Sequence, residues 1–216
     1  MASFGEQRER MVERQLRRRG ILDERVLGAM GRVPRENFVP ESERRRAYAD
    51  SALPIAEGQT ISQPWIVAAI AQALELKGDE RVLEIGTGSG YSACVLAELA
   101  AEVITVERHQ ALADAARGSI AALGYGNIEV VLGDGSKGLP VRAPFGGIAV
   151  HATAPAPPQS LLTQLGVGGR LVVPIAADGA DMLTVLQRRA EGFVRHQIGP
   201  CRFVPLVGEE GYPDQA

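Results

Sequence analysis

Short apolar runs alternate with helix-length segments between Arg81 and Pro174, and this alternation restricts the possible folds more than any other feature of the chain. The candidate strands are residues 81–85, 103–106, 128–132, 148–151 and 170–174, and the candidate helices are residues 91–99, 110–123 and 158–165. Strands separated by helices of this length are typical of a parallel sheet covered on both faces. We therefore predict an α/β fold, a three-layer sandwich around a mostly parallel, doubly wound sheet.

The order of elements changes after Pro174. Residues 182–188 and 192–198 are two successive strand patterns with no helix between them. This arrangement predicts an antiparallel hairpin at the end of the sheet. A dinucleotide dehydrogenase would continue with further strand–helix units, so the hairpin argues against that class of protein.

The segment before Pro64 has a different character. Residues 5–19 favour a helix, Asp23 is a candidate N-cap for a second helix, and residues 36–63 are irregular. We predict a single domain with three parts: residues 1–63, a helical cap with part of a ligand site; residues 64–207, the core; and residues 208–216, a flexible tail. The first sixty residues are expected to cover the carboxyl ends of the strands, where open α/β sheets bind ligands.

Composition excludes several classes of function. The net charge of −3 gives no basic field for nucleic acid or an anionic membrane surface, and no apolar run approaches the roughly 18 residues that span a bilayer. The N-terminus has no apolar region of a secretory signal. Cys94 and Cys201 are too few and too distant for a disulfide framework or a zinc site, and the three histidines lack metal-ligand spacing. We expect a cytoplasmic protein without a metal, a membrane partner or a nucleic-acid partner.

A glycine-rich turn follows the first strand, with the sequence Gly86-Thr87-Gly88-Ser89-Gly90. Glycine lets the backbone turn tightly and approach a ligand without a Cβ in the way. The spacing G-x-G-x-G differs from the G-x-G-x-x-G of pyrophosphate binders. Glu84, just before the turn, would repel a diphosphate but suit a cationic ligand such as S-adenosylmethionine, which carries an ammonium and a sulfonium. We favour this interpretation over a structural turn beside a solvated Glu84.

The next two strands also end in turns with an acidic residue. Glu107 lies 21 positions after Gly86, close to the offset at which an acid binds adenosine ribose, and its carboxylate can accept hydrogen bonds from both hydroxyls. Gly133-Asp134-Gly135 offers a carboxylate and amides to an adenine edge, although an ordinary Asp-Gly turn is the alternative. Three such turns after three consecutive strands predict a nucleoside site.

The segment Thr60-Ile61-Ser62 places two hydroxyls just before a helix that begins near Pro64, a residue that suits the first turn. One interpretation is that Ser62 only caps this helix. The other is that hydroxyls and amides at the helix N-terminus bind an anion, here an acceptor carboxylate. The spacing alone leaves both open.

These stretches together resemble the protein-L-isoaspartate O-methyltransferases, and the resemblance extends from about residue 8 to residue 207. The glycine turn is shared by methyltransferases at large, whereas the T-I-S-Q-P and R-F-V-P-L segments are far more particular to this family. The matching segments are residues 32–35, 38–40, 47–50, 58–64, 82–91, 133–135, 168–174 and 202–206.

The resemblance implies a class I, Rossmann-like methyltransferase that methylates the free carboxylate of L-isoaspartyl residues in damaged proteins and peptides and thereby begins their repair. Ser62 corresponds to the active-site serine of the family, and Thr60 and Ile61 line the acceptor pocket beside it. The protein is expected to be a monomer. The residues expected to hold S-adenosyl-L-methionine, or the product S-adenosyl-L-homocysteine, are Glu84, Gly86, Thr87, Gly88, Ser89, Glu107, Arg108, Gly133, Asp134 and Gly135.

The fourth strand departs from the family pattern, because Gly146-Gly147 stands where members usually have Asp-Ala. The missing Asp would lie at the amino end of its strand, on the edge away from the ligand. We expect its loss to reduce local stability more than catalysis, and glycine also weakens a strand. His151 lies at the carboxyl end, where we expect a hydrogen-bonded side chain in the crevice wall rather than a catalytic one.

Three alternatives remain. A narrower one changes the acceptor to a normal aspartyl carboxylate in one dedicated partner. A nicotinamide-dependent reductase is disfavoured by the spacing of the glycine turn, by Glu84 and by the terminal hairpin. A non-enzymatic sensing module on a decayed methyltransferase is suggested only by Gly146-Gly147, and the intact segment Thr60-Ile61-Ser62 argues against it.

Overall fold

Seven strands form the central sheet of the computed structural model, which describes residues 2–214. The strands are β3 (Arg81–Ile85), β4 (Glu102–Glu107), β5 (Ile128–Leu132), β6 (Phe145–Val150), β7 (Leu165–Ile175), β8 (Asp181–Arg189) and β9 (Gly192–Cys201). Their order is β5-β4-β3-β6-β7-β8-β9, and the pairs are parallel except β7–β8 and β8–β9. The predicted, mostly parallel sheet with a terminal antiparallel hairpin is therefore confirmed. Two short strands, β1 (Leu53–Pro54) and β2 (Thr60–Ile61), pair separately.

Helices cover both faces of this sheet. They are α1 (Phe4–Met11), α2 (Glu24–Arg32), α3 (Pro64–Leu74), α4 (Tyr91–Ala97), α5 (Gln110–Ala122) and α6 (Gln159–Gln164). The consecutive residues Val82 and Leu83 belong to two separate apolar clusters, the first shared with α1–α5 and the second with α6. Because successive strand side chains point to opposite faces, this division identifies β3 as a strand buried on both sides. No helix in the described part of the chain has the length and apolarity needed to cross a membrane.

The N-terminal helices differ from the predicted arrangement. Residues 5–19 are helical, but α1 passes into a wider π-helical turn at Val12–Leu16 and a 3₁₀ turn at Arg17–Arg19. Gly20, with φ of 92°, ends this segment in the left-handed conformation that suits glycine at a helix C-terminus. Asp23 caps α2 as predicted, because its carboxylate accepts a hydrogen bond from the Arg25 amide at 2.8 Å.

The cap helices lie against other helices and not over the carboxyl ends of the strands. Met11 and Met30 are buried in the cluster that contains α3 and α4, and the Arg25 guanidinium donates to the carbonyls of Leu76 and Leu99, just beyond those two helices. The apolar faces of α1 and α2 pack against the outer surface of α3 and α4. Of the first 63 residues, the ones that line cavities are Arg19, Ala52 and residues 58–63.

The C-terminal segment, predicted from sequence to be a flexible tail, makes specific contacts with the turn that follows β5. The Glu209 amide donates to the Asp134 carboxylate at 2.9 Å, the Glu210 amide donates to Ser136 Oγ at 3.0 Å, and Lys137 pairs with Glu209 at 2.7 Å. Residues 208–214 are thus held over the turn that follows β5. These contacts join positions more than seventy residues apart, which local composition does not encode. Residues 215–216 of the predicted tail lie outside the described residues.

The glycine pair in β6 makes room for the chain that enters β3. A Cβ on Gly146 would lie 2.6 Å from Glu80 Cγ, and a Cβ on Gly147 would lie 3.1 Å from Leu76 Cδ2. The Glu80 carboxylate is itself fixed by the amides of Lys77 and Gly78. Position 146 does lie at the amino end of its strand, as predicted. However, the space of the missing Asp side chain is filled by Glu80, so the expected loss of local stability is not supported.

Candidate active site

A cavity of about 340 Å³ opens at the carboxyl ends of the parallel strands, within the size range of small-molecule sites. The turns after β3 and β4, residues 58–62 and residues 204–207 form its walls. Residues 204–207 are not among the predicted site residues, although residues 204–206 belong to the R-F-V-P-L segment. The predicted site residues that line this cavity are Thr60, Ile61, Ser62, Gly86, Thr87, Gly88, Ser89, Glu107, Arg108 and Gly135.

The glycine turn bends around the cavity in a conformation that only glycine adopts easily. The φ angles of Gly86, Gly88 and Gly90 are 90°, 53° and 86°, all in the left-handed region where a Cβ is strained. The Gly86 amide donates to the Val106 carbonyl at 2.9 Å, which fixes the turn to the neighbouring strand. The backbone can therefore approach a ligand closely along this wall.

Glu107 presents an oriented carboxylate to the same cavity. Its Oε2 accepts a hydrogen bond from the Gly88 amide at 2.9 Å, and its Oε1 accepts from the amides of Arg108 and His109 at 2.9 and 3.0 Å. A carboxylate offers about four lone-pair positions, so these three donors leave room for about one more. The carboxylate therefore keeps capacity to accept a hydrogen bond from a ribose hydroxyl, in line with the role predicted for Glu107.

Glu84 and Gly133 do not reach the cavity. The Glu84 side chain is fully buried, and its Oε2 accepts a hydrogen bond from Thr105 Oγ1 at 2.6 Å, which in turn lies 2.6 Å from the Thr87 hydroxyl. Glu84 therefore supports the glycine turn from beneath. The expected direct contact between Glu84 and a cationic ligand is not what the structure presents.

Asp134 is likewise absent from the cavity wall, and its partners explain why. Its Oδ1 accepts hydrogen bonds from the Ser136 amide at 2.9 Å and from Ser136 Oγ at 2.7 Å, while Oδ2 accepts from Glu209. Burial acts to raise the pKa of the Asp134 carboxyl, but the hydrogen bonds from Glu209 and Ser136 outweigh it, and the pKa is lowered. Only Gly135 reaches the cavity, where a Cβ would lie 2.5 Å from Ile85 Cγ2. Asp134 thus shapes this turn and tethers the C-terminal segment.

The Ser62 hydroxyl is free to bind a ligand. The N-cap of α3 is Gln63, and no side chain caps this helix, which excludes the interpretation of Ser62 as a helix cap. No hydrogen-bond partner of the hydroxyl is found within residues 2–214, and Ser62 lines the cavity. The Ser62 carbonyl accepts a hydrogen bond from Arg35 Nη2 at 2.8 Å.

Arg35 is a buried cation that the sequence analysis did not single out. It is fully buried, donates to the carbonyls of Ala47 and Ser62, each at 2.8 Å, and lies over the Tyr91 ring at 4.9 Å. Burial lowers the pKa of Arg35 and raises the pKa of Tyr91 to about 12. Arg35 therefore holds the backbone at Ser62 in place. Arg35 stands among charged residues, a pattern typical of an exposed segment. The only feature of the sequence that could have identified Arg35 as functional is the family pattern at residues 32–35.

A second cavity of about 330 Å³ adjoins the first and is lined by Arg19, Trp65, Cys201, Arg202 and Phe203, among others. Four residues line both cavities: Thr60, Ser62, His151 and Val204. A group bound in one cavity can thus meet a group bound in the other beside Ser62. His151 is hydrogen-bonded to Ser92 Oγ at 2.8 Å and forms part of the wall, as predicted. Within the described residues, no three His, Cys, Asp or Glu side chains cluster as metal ligands would.

Comparison with known proteins gives a consistent result. A family model described as protein-L-isoaspartate(D-aspartate) O-methyltransferase matches residues 6–211. A protein-L-isoaspartate O-methyltransferase 1 of Rhodopseudomonas palustris strain HaA2 is 56% identical over 99% of this chain and 88% of its own length. A protein-L-isoaspartate O-methyltransferase of Herpetosiphon aurantiacus is 53% identical over 96% of this chain and 92% of its own length.

Solved structures agree in fold. A protein-L-isoaspartate O-methyltransferase superimposes with a TM-score of 0.85 at 29% identity, over 94% of this chain and 67% of the other. A Plasmodium falciparum protein described as a putative protein-L-isoaspartate O-methyltransferase, solved with S-adenosyl-L-homocysteine, gives a TM-score of 0.79 at 25% identity, over 93% of this chain and 98% of the other.

Proposed function

The chain belongs to the protein-L-isoaspartate(D-aspartate) O-methyltransferase family, and from this premise we propose how its residues divide the work of the reaction. The enzyme transfers a methyl group from S-adenosyl-L-methionine to the free carboxylate of L-isoaspartyl residues in damaged proteins and peptides, which begins their repair. The main observation behind this division of roles is that Ser62 lines both cavities.

The first cavity has the features that the cofactor requires. The glycine turn leaves its wall free of Cβ atoms, and Glu107 offers an oriented acceptor to a ribose hydroxyl. The residues proposed to hold the cofactor are Gly86, Thr87, Gly88, Ser89, Glu107, Arg108 and Gly135. Glu84, Gly133 and Asp134 do not line the cavity and are proposed to support the turns that do. When bound, S-adenosyl-L-methionine supplies the methyl group and leaves as S-adenosyl-L-homocysteine.

The second cavity and the shared wall receive the acceptor. The Ser62 hydroxyl donates a hydrogen bond to the isoaspartyl carboxylate and orients one oxygen for attack, while Thr60 and Ile61 line the pocket beside it. The acceptor resembles an α-carboxyl, with a pKa of roughly 3.3–3.7, so it is ionised at neutral pH and needs no general base. Positioning supplies most of the acceleration, and well-oriented reactants can gain about 7–11 kcal/mol.

We further propose that the enzyme acts as a monomer in the cytoplasm, on proteins and not on nucleic acid or membranes. The net charge of −3 supports this, because a protein with no net positive charge is not attracted to nucleic acid or to an anionic membrane surface. Both cysteines are unpaired, and burial raises the pKa of Cys94 to about 12 and that of Cys201 to about 11. Unreactive thiols of this kind suit a reducing compartment.

The role of Ser62 is tested by Ser62→Ala. The variant loses one hydrogen bond to a charged group, which is worth about 1.5–3 kcal/mol, so kcat/KM for an isoaspartyl peptide should fall about ten- to a hundredfold. The dissociation constant of S-adenosyl-L-homocysteine, measured by calorimetry, should stay unchanged. Ser119→Ala on α5, at a position that lines neither cavity, is the matched control and should behave as the wild type. A large loss of cofactor affinity in Ser62→Ala would contradict the assignment to the acceptor.

A further inference from the structure

Positive charge lines the second cavity. Arg19 and Arg202 are among its lining residues, whereas no Asp or Glu between residues 2 and 214 lines it. The cofactor cavity differs, because the carboxylate of Glu107 lines it together with Arg108. The chain as a whole carries a net charge of −3, so the positive lining is a local feature. A concave surface lined by one sign of charge attracts ligand groups of the opposite sign.

Arg19 has partners within the protein. Its Nη1 donates a hydrogen bond to Asp50 Oδ2 at 2.8 Å, and its guanidinium lies 5.3 Å from the centre of the Trp65 ring. The same Asp50 carboxylate accepts a hydrogen bond from Gln63 Nε2 at 2.7 Å. Asp50 therefore offsets the charge of Arg19 and holds it in place, which leaves Arg202 as the arginine of this cavity that is available to a ligand.

Arg202 combines a free side chain with a fixed backbone. The residue is exposed, and within residues 2–214 its side chain forms no hydrogen bond or ion pair. The backbone on either side is fixed, because Cys201 pairs with Asp181 across the hairpin and the Val204 carbonyl accepts a hydrogen bond from the Thr153 amide at 2.8 Å. The Asp181 carboxylate accepts a hydrogen bond from Thr153 Oγ1 at 2.7 Å and not from Arg202. An uncompensated guanidinium thus stands at a defined position beside the acceptor cavity.

The second cavity is large enough to take more of a peptide than the acceptor carboxylate. It encloses about 330 Å³, and Ser62, the proposed carboxylate-binding residue, lies on the wall that it shares with the cofactor cavity. Successive residues of an extended peptide are only about 3.3 Å apart. With the isoaspartyl carboxylate at Ser62, the side chain of a neighbouring peptide residue therefore lies in the cavity that Arg202 lines.

We propose that Arg202 determines substrate specificity: its guanidinium pairs with an Asp or Glu side chain next to the isoaspartyl residue, so the enzyme prefers damaged sites in acidic segments. This inference rests on the proposed function. Arginine suits the role because its planar fork can donate two parallel hydrogen bonds to one carboxylate. The isoaspartyl carboxylate itself remains at Ser62, and the pairing at Arg202 changes binding and not the methyl-transfer step.

The experiment measures kcat and KM for blocked isoaspartyl peptides that are identical except for the residue after the isoaspartyl position, which is Glu, Gln or Lys. A second series varies the residue before it. In the wild type, kcat/KM should be about two- to fivefold higher for Glu than for Gln in at least one series, the range of exposed ion pairs, and the difference should lie in KM. Because salt screens exposed charges, the preference should shrink at about 1 M ionic strength.

Arg202→Gln should lower the ratio of kcat/KM between the Glu and Gln peptides to about one. Arg202→Lys should keep most of the preference, and Arg202→Glu should reverse it in favour of the Lys peptide. Each ratio compares two peptides on one variant, so a loss of stability or of cofactor affinity cancels. Arg195→Gln removes the same charge at an exposed position on β9 that lines neither cavity. This matched control should keep the wild-type ratio.

A ratio of about one in both wild-type series would overturn the inference. A wild-type ratio in Arg202→Gln would also overturn it, including the case in which Arg19→Gln abolishes the preference instead. The same measurements separate this inference from the proposed function on which it rests. If the wild type methylated none of the isoaspartyl peptides, whatever the neighbouring residue, the proposed function itself would be contradicted.

Discussion

At the scale of single residues, the role of each carboxylate near the cofactor cavity follows from its hydrogen-bond donors. The Glu107 carboxylate accepts hydrogen bonds from three backbone amides and still faces the cavity, so it can bind a ligand. Asp134 accepts its hydrogen bonds from Ser136 and Glu209 and has turned away from the cavity. Two acids that follow neighbouring strands therefore do different work: one is a ligand-binding group, and the other fixes the chain around the site.

Asp134→Ala should release the C-terminal segment and weaken cofactor binding only indirectly. Because the pKa of Asp134 is lowered, the stabilisation that its carboxylate provides is complete above its ordinary value near 3.8 and is lost only as pH falls through the lowered value. The variant should therefore lose that stabilisation at neutral pH. Hydrogen exchange should quicken in residues 208–214, and the cofactor dissociation constant should rise several-fold through the loosened turn at Gly135.

Asp114→Ala, which removes an exposed carboxylate paired with Arg117 on α5, is the control for this experiment. A weaker cofactor affinity with unchanged exchange in residues 208–214 would mean that Asp134 contacts the adenine directly, as the sequence analysis expected.

The residues that sequence reasoning placed in the cavity are those whose role is fixed by local spacing. Gly86 and Gly88 follow a strand directly, Glu107 ends the next one, and Ser62 precedes a helix. Glu84 and Arg35 depend instead on partners distant in sequence, and the direction of a buried side chain is set by packing that no local pattern records. The family resemblance identified position 35 as part of a motif without giving its contact to Ser62.

At the scale of elements, period and length predicted the helices and strands well, and glycine caused the main differences. Residues 165–169 belong to β7, although three of these five residues are glycines. Strand β6 begins at Phe145 and not at residue 148. A Cβ on Gly169 would lie 2.8 Å from the Gly146 carbonyl oxygen. The strands approach closely where side chains are absent, and absent side chains leave no hydrophobic period to detect.

Restoring the family's Asp in this element should destabilise the protein. In Gly146→Asp, the new Cβ would clash with Glu80 Cγ, whose carboxylate is held by two amides and cannot move freely. Overpacking of this kind costs about 1–3 kcal/mol, which should be visible as a lower midpoint of urea unfolding with an unchanged slope. Cofactor affinity should change little, because position 146 lies at the amino end of β6, whereas the cavity lies at the carboxyl ends of the strands.

Gly118→Asp on α5, where a Cβ would meet nothing within 4 Å, is the control and should be neutral or slightly stabilising. An increase in stability for Gly146→Asp would show that the family's Asp is accommodated and that Glu80 does not fill its space.

At the scale of the whole molecule, the fold brings three distant parts of the chain to one edge of the sheet. The turns after β3 and β4 form one wall, residues 58–62 form the second, and residues 204–207 return from the terminal hairpin to form the third. The doubly wound order of strands makes the first wall predictable, because the carboxyl ends of parallel strands lie together. The path of residues 204–207 depends on bridges such as the one between Thr153 and Pro205, which only the folded chain reveals.

The central claim is that one methyl group passes between the two cavities to a carboxylate held at Ser62, and that the acceptor is an isoaspartyl residue. The most direct test is transfer of isotopically labelled methyl from S-adenosyl-L-methionine to two peptides that differ only in an isoaspartyl or an aspartyl linkage. We predict base-labile methyl ester on the isoaspartyl peptide, with kcat/KM at least about tenfold higher, a difference of about 1.4 kcal/mol in transition-state binding. Equal labelling of the two peptides, or labelling of the aspartyl peptide alone, would contradict the account.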